Sequence, residues 1–259
     1  MRYFLEVAYK GTHYSGFQMQ KNALTIQGEI EKAFQVFFQL PSPSGEGLVQ
    51  KDSFGGVRLT GSSRTDAGVH ALQNFFHFDW EEAFQQKWIY NLNAILPGDI
   101  VIKNVIAVAD DAHCRFDALS RTYHYHIYQY KNPFIADRAY FYPYTLDIGK
   151  LNQAAAAIKS YTDFTSFSKR NTQVKTFNCT ILQSEWVQRD DQLIYIVSAN
   201  RFLRGMVRAL TATMLKVGRG IISLEDFHTI IRVKDCGKAF FDTPAHGLTL
   251  IEVAFNKAE

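Results

Sequence analysis

Apolar and polar positions change period several times along the chain, and each change marks an element. The opening "RYFLEVAY", Arg2 to Tyr9, alternates at a period of two and predicts a strand. After the loop "KGTHYSGFQMQKNAL", Ile26, Ile30, Ala33, Phe34 and Phe37 recur at helical spacing, with Thr25 placed to cap the first turn. "LPSPSGEG", residues 40–47, reads as a surface loop leading to a strand near Val57 to Ser62. "ALQNFFHFDW" predicts another strand. Residues 81–95 predict a helix, which "LPGD" stops before the strand "IVIKNVIAVA".

The second half uses similar ingredients. "SRTYHYHIYQY" alternates so that Tyr123, Tyr125 and Ile127 share one face and His124, His126 and Tyr128 the other. A helix capped by Asp147 is expected to about Ser160, then strands near residues 177–188 and 193–200. A helix from Phe202 to about Val217, a shorter one after Ser223 and a last strand "GLTLIEVAF" complete the chain. The order of elements predicts an α+β protein of two similar lobes, residues 1–112 and 113–259. Each is expected to be a mostly antiparallel sheet with helices on one face, built of RRM-like or ferredoxin-like elements.

Composition sharpens this picture in three places. Aromatic residues are abundant, 21 Phe and 13 Tyr in 259 residues, which argues for a folded core rather than disorder. Three cysteines, Cys114, Cys179 and Cys236, stand far apart with no C-x-x-C pair, so neither a disulfide framework nor a zinc knuckle is indicated, and a reducing cytoplasm is the expected setting. Arg2, Glu6 and Lys10 interrupt any signal-peptide core, and no uncharged apolar run is long enough for a membrane span. Charge is uneven. Residues 1–130 hold 11 Lys and Arg against 13 Asp and Glu, residues 131–259 hold 17 against 12, and the second half is the expected seat of a polyanion contact.

Three stretches carry candidate chemistry. In "SSRTDAGVH", Asp66 stands between Thr65 and an Ala67-Gly68 step, a composition that serves an Asx turn as readily as a presented carboxylate. In "RFLRGMVRALTATMLKVGRG", Arg201, Arg204 and Arg208 fall on one side of the predicted helix, and Arg208 borders the apolar stripe of Leu203, Val207, Leu210 and Met214. Such a row is either a solvated face or a source of one partly buried guanidinium that needs a carboxylate. Tyr123, beside Arg121 on the aromatic strand, is either sheet core or a ring facing a base.

Other chemistries fit less well. A non-catalytic RNA-binding module would show an RNP-type Lys/Arg-Gly-aromatic strand, which is missing. A metal-dependent hydrolase could draw on His70, His77, His113, His124 and His126 with Asp66, but no third ligand accompanies the H-x-H pair at the usual spacing. A glycosidase needs a second carboxylate, and none is marked out near Asp66.

Taken together, "GSSRTDAGVHA", "SRTYHYHIY", "DFTSF" and "FLRGMVRALTATMLKVGRG" resemble the successive motifs of the tRNA pseudouridine synthase A family, from "YKGTHYSGFQMQ" to "HGLTLIEVAF". The R-T-D-A-G-V-H run is the most specific of them. The resemblance implies isomerisation of uridine to pseudouridine at positions 38, 39 and 40 of the tRNA anticodon arm, with no cofactor and no metal. It implies Asp66 as the catalytic nucleophile, Tyr123 as the ring packing against the target base and Arg208 as the cation pairing with the aspartate. Arg64 matches the arginine implicated in prising the uridine out. The family generally works as a homodimer with an active-site cleft between its lobes. Lys169, Arg170, Arg201 and Arg204 are the expected phosphate contacts. Phe17 replaces the tryptophan of many members, and the segment around Ser42 to Gly56 is longer than in others.

Overall fold

The computed structural model describes residues 1–39, 57–170 and 174–256, and the chain divides into two compact units, Met1–Ala118 and Leu119–Glu259. The division falls a few residues beyond the boundary drawn from the sequence, so that His113 to Phe116 belong to the first unit. The Pro/Ser/Gly loop, with the Ser42 to Gly56 segment, lies outside the described residues.

The first unit is a three-stranded antiparallel sheet with a short addition. β1 (Arg2–Tyr9) is central, between β4 (Ile100–Val108) and β3 (His70–Asp79), and the two-residue β2 (Thr60–Gly61) pairs with β3. Alternation on β1 buries Tyr3, Leu5, Val7 and Tyr9. α1 (Ile26–Phe38) starts where the sequence predicts, with Thr25 Oγ1 accepting the Gly28 N–H at 3.2 Å. Its Phe34 packs edge-on against Phe78, centroids 5.5 Å apart.

α2 is shorter than the predicted 81–95 helix and covers only Trp88–Ile95. The preceding residues are claimed by tertiary partners instead. The Phe84 N–H donates to Tyr3 Oη at 3.1 Å, Gln86 Nε2 donates to the Val105 carbonyl at 2.7 Å, and the Phe84 ring meets Trp88 edge-on at 5.1 Å. Local helical propensity is worth only tenths of a kcal/mol per residue, so these bonds decide the backbone. Asn93 on α2 then acts as an extra strand partner for β4: its Nδ2 donates to the Ile102 carbonyl at 2.9 Å and its Oδ1 accepts the Ile102 N–H at 2.8 Å.

In the second unit β5 (Ser120–Tyr128) lies between β9 (Leu248–Ala254) and β8 (Gln192–Ala199), β7 (Ile181–Arg189) pairs with β8, and all three contacts are antiparallel. A short parallel addition, β6 (Tyr140–Phe141), joins the end of β5. The alternating burial of Arg121, Tyr123, Tyr125 and Ile127 matches the predicted face. α3 (Ile148–Ala157), α4 (Met206–Gly218) and α5 (Leu224–Arg232) pack on one another. Asp147 caps α3 as expected, and Ser223 and Asp226 close a reciprocal capping box on α5. The predicted start of α4 at Phe202 is corrected to Met206. Gly205 takes φ +75°, outside the helical region, so Arg201 and Arg204 precede the helix and share no helical face with Arg208. Among the described residues no helix is long and apolar enough to cross a membrane.

Candidate active site

The loop between β2 and β3 carries Asp66 and is fixed from four directions. At its start the Ser62 N–H still donates to the Phe75 carbonyl at 2.8 Å, continuing the strand pairing. Ser62 Oγ donates to Asn74 Oδ1 at 2.8 Å, and Asn74 Nδ2 donates both to the Ser63 carbonyl and to Tyr9 Oη, each at 3.1 Å. Tyr9 Oη shares a 2.8 Å hydrogen bond with Thr65 Oγ1. Asn74 is fully buried, so these bonds form away from water, where leaving one unmade costs about 1–3 kcal/mol.

The N-terminal "KGTHYSGF" loop lies across the same segment. The Phe17 N–H donates to the Thr65 carbonyl at 3.1 Å, and the Gly68 N–H donates to the Tyr14 carbonyl at 3.3 Å. The Gly11 N–H donates to Nδ1 of buried His70 at 3.0 Å. At Gly11 the two backbones come so close that a Cβ would stand 2.0 Å from the Val69 carbonyl oxygen, which no side chain tolerates. Tyr14 in turn donates to Asp99 Oδ1 at 2.6 Å, and burial followed by that bond pushes its phenol well above the usual range.

Asp66 itself opens a tight turn. The Val69 N–H donates to the Asp66 carbonyl at 3.2 Å, and Gly68 at φ +79° occupies the third position, where a type II turn requires positive φ. Thr65 is buried, Asp66 half-buried and Arg64 exposed, so the loop anchors on Thr65 and turns its neighbours outward. The segment is therefore a backbone-bonded turn whose first residue is a half-buried carboxylate.

The remaining predicted residues lie in the second unit. Tyr123 is 8% exposed on β5, and its ring meets Phe202 edge-on at 5.2 Å. Arg208, in the first turn of α4, donates from Nε and from a terminal nitrogen to the Thr243 carbonyl at 2.9 and 2.6 Å, while Thr243 Oγ1 donates back to the Arg208 carbonyl at 2.8 Å. The Lys169 N–H donates to the Arg204 carbonyl at 3.0 Å, which sets the Lys169–Arg170 segment beside the entry to α4. Arg204 and Arg170 are exposed, Arg201 half-buried, and Arg170 Nε reaches Cys236 Sγ at 3.4 Å. The second unit thus gathers Tyr123, Phe202, Lys169 and Arg204 around the turn that starts α4. Among the described residues no three His, Cys, Asp or Glu side chains come together as a metal-ligand set.

Sequence reasoning passed over Tyr9, Gly11 and Asn74, which hold the Asp66 loop. Their only signal was the presence of a polar Asn and a hydroxyl-bearing Tyr at inward positions of strands, where apolar residues are the rule.

The tRNA pseudouridine synthase family pattern matches residues 6–117 and 155–256. Proteins named tRNA pseudouridine synthase A match nearly end to end. The one from Bacteroides fragilis is 42% identical over 257 residues, 98% of this chain and 96% of the relative. The Parabacteroides distasonis protein is 40% identical over 256 residues, with the same coverage, and that of Staphylococcus aureus 38% over 262 residues, covering all of this chain and 92% of the relative. The chain belongs to the tRNA pseudouridine synthase family. The Asp66 loop and its partners Tyr9, Gly11 and Asn74 all fall inside the first matched span.

Proposed function

We propose that this protein isomerises uridine to pseudouridine in the anticodon arm of tRNA, with Asp66 as the reacting carboxylate. The observation that carries this reading is the clamped Arg64–His70 loop within the span shared with the family. In the reaction the N1–C1′ bond breaks, the uracil turns in place, and C5 bonds to C1′. The proton lost from C5 is balanced by one gained at N1, so no electrons change hands and no cofactor is needed. An ionised carboxylate can add to C1′, add to C6, or remove a ribose proton.

The roles follow the family resemblance: Tyr123 packs against the flipped base, and Arg208 supplies the cation that the aspartate needs. Arg64 fills the space the uridine leaves, offsetting a few kcal/mol of lost stacking. Lys169, Arg170, Arg201 and Arg204 hold phosphates. Their grouping beside Tyr123 and the start of α4 supports a single RNA-facing patch on the second unit. The same resemblance makes the working form a homodimer.

Tritium at C5 of uridine is released to water only when the new C–C bond forms, so tRNA carrying it reports turnover directly. Asp66→Asn is expected to bind this tRNA like the wild type and to lose turnover by about 10³-fold or more. Turnover at the wild-type rate in Asp66→Asn overturns the assignment.

A further inference from the structure

Beside the Asp66 loop the first unit holds an open pocket of about 250 Å³ whose lining includes Arg58, Arg64, Arg115, His113 and Phe116 and, among the described residues, no carboxylate. Phe17 and Leu59 give it an apolar part. Phe17 is stacked on Phe76 at 4.3 Å with an interplanar angle of 13°, and Leu59 is buried beside it.

The wall carrying Arg115 and Phe116 is a fastened turn. The N–H groups of Phe116 and Asp117 both donate to the His113 carbonyl at 3.0 Å, the Arg115 N–H donates to His113 Nδ1 at 3.2 Å, and the His113 N–H donates to Asp117 Oδ2 at 2.7 Å. Cys114, fully buried, ties the turn to β2 through Sγ and the Thr60 carbonyl at 3.2 Å.

This frame presents Phe116 with 75% of its surface exposed, its ring 4.2 Å from that of His113 and the Arg115 guanidinium carbon 5.8 Å from its centroid. Arg58, Arg64 and Arg115 line one concavity, and clustered positive charge attracts an anion. Glu31, whose carboxylate feels Arg58, also accepts Gln27 Nε2 at 2.8 Å and the Leu59 N–H at 3.1 Å. An exposed, pre-oriented aromatic face next to arginines matches the chemistry of a splayed RNA nucleotide, in which phosphate and base need opposite surroundings.

We infer that this pocket binds one nucleotide of the substrate RNA other than the reacting uridine, its phosphate held by Arg58 and Arg115 and its base stacked on Phe116. The inference rests on the reading that the substrate is tRNA. Arg64 then joins two functions, since it borders this pocket and stands two residues from Asp66.

The test is equilibrium binding of unmodified tRNA over a range of salt concentrations, with turnover followed in parallel. Phe116→Ala is expected to weaken binding by about fivefold or more, and Phe116→Trp to restore it, because stacking needs only a ring face. Arg58→Ala with Arg115→Ala is expected to flatten the salt dependence by about one unit in log–log slope per lost phosphate contact. Melting temperatures of the variants are expected to equal that of the wild type.

Wild-type affinity and salt slope in these variants, with turnover intact, overturn the pocket and leave the enzyme assignment standing. Wild-type protein that binds tRNA but makes no pseudouridine overturns the enzyme assignment, while the variant series still judges the pocket. Displacement of bound tRNA by millimolar uridine monophosphate makes the ligand a free nucleotide and overturns the RNA strand as its source.

Discussion

The two units solve one problem alike and another differently. Each ties a helix to a strand through an asparagine that completes the strand's pairing: Asn93 with Ile102 in the first, and in the second Asn152, which accepts the Trp186 N–H at 2.8 Å and donates to the Trp186 carbonyl at 3.0 Å. β4 and β7, the strands so bound, would otherwise expose unpaired backbone. The units part at the residues assigned to chemistry. In the second, Tyr123 sits in a strand, beside a shift in the register of β5 with β9, and Arg208 in the first turn of a helix, so burial within regular elements orients them. In the first, Asp66 stands on irregular backbone that no ladder supports, and a buried Asn, a Tyr and a backbone-to-backbone contact replace the ladder. A carboxylate on a loop needs a dedicated scaffold, whereas a ring on a strand inherits one.

That contrast can be broken most severely at Gly11. Gly11→Ala places a methyl where the Val69 carbonyl oxygen stands and is expected to cost about 3 kcal/mol or more, with turnover lost even below the melting transition. Denaturant unfolding and tritium release on the same samples measure both. Retention of wild-type stability would show that the clamp yields easily.

Asn74→Ala is the next test, because it strips partners from Ser62, Tyr9 and the Ser63 carbonyl together and is expected to cost about 2–4 kcal/mol. Asn93→Ala and Asn152→Ala should each cost about 1–2 kcal/mol, since each loses one paired set of bonds at a partly buried site. Only the Asn74 variant should also lower kcat. Equal kcat losses in all three would erase the distinction between holding a helix and holding the site.

Acid should affect the two units similarly and more mildly. Burial, reinforced by His113 and Arg2, pulls His77 of the first unit down to about 4, and burial with His126 and Arg189 nearby pulls His124 of the second to about 4. The unfolded chain, with imidazoles near 6.5, binds protons that these folded sites refuse. Stability is therefore full above pH 6.5 and falls as pH drops from 6.5 toward 4. Calorimetry across that range should show the loss, and His124→Gln should reduce its slope. A slope unchanged by the substitution removes His124 from the account.

How much of this was legible before folding depends on the range of the interaction. The caps at Thr25, Asp147 and Ser223 act over three residues, and they set the starts of α1, α3 and α5 as read. The alternation of "SRTYHYHIY" likewise fixed the buried face of β5. The helix expected over residues 81–95 lost its first turns to Tyr3 and Val105, and the arginine row before α4 was broken by the backbone of Gly205.

The sequence alone determined the α+β order of elements and, through the family resemblance, put forward Asp66, Tyr123 and Arg208 as site residues, because periodicity, caps and motifs are local in the chain. The tertiary structure alone decided what holds Asp66. Tyr9 reaches Thr65 across 56 positions and Asn74 reaches Tyr9 across 65, and no pattern of neighbours encodes a hydrogen bond between residues that only the sheet brings together.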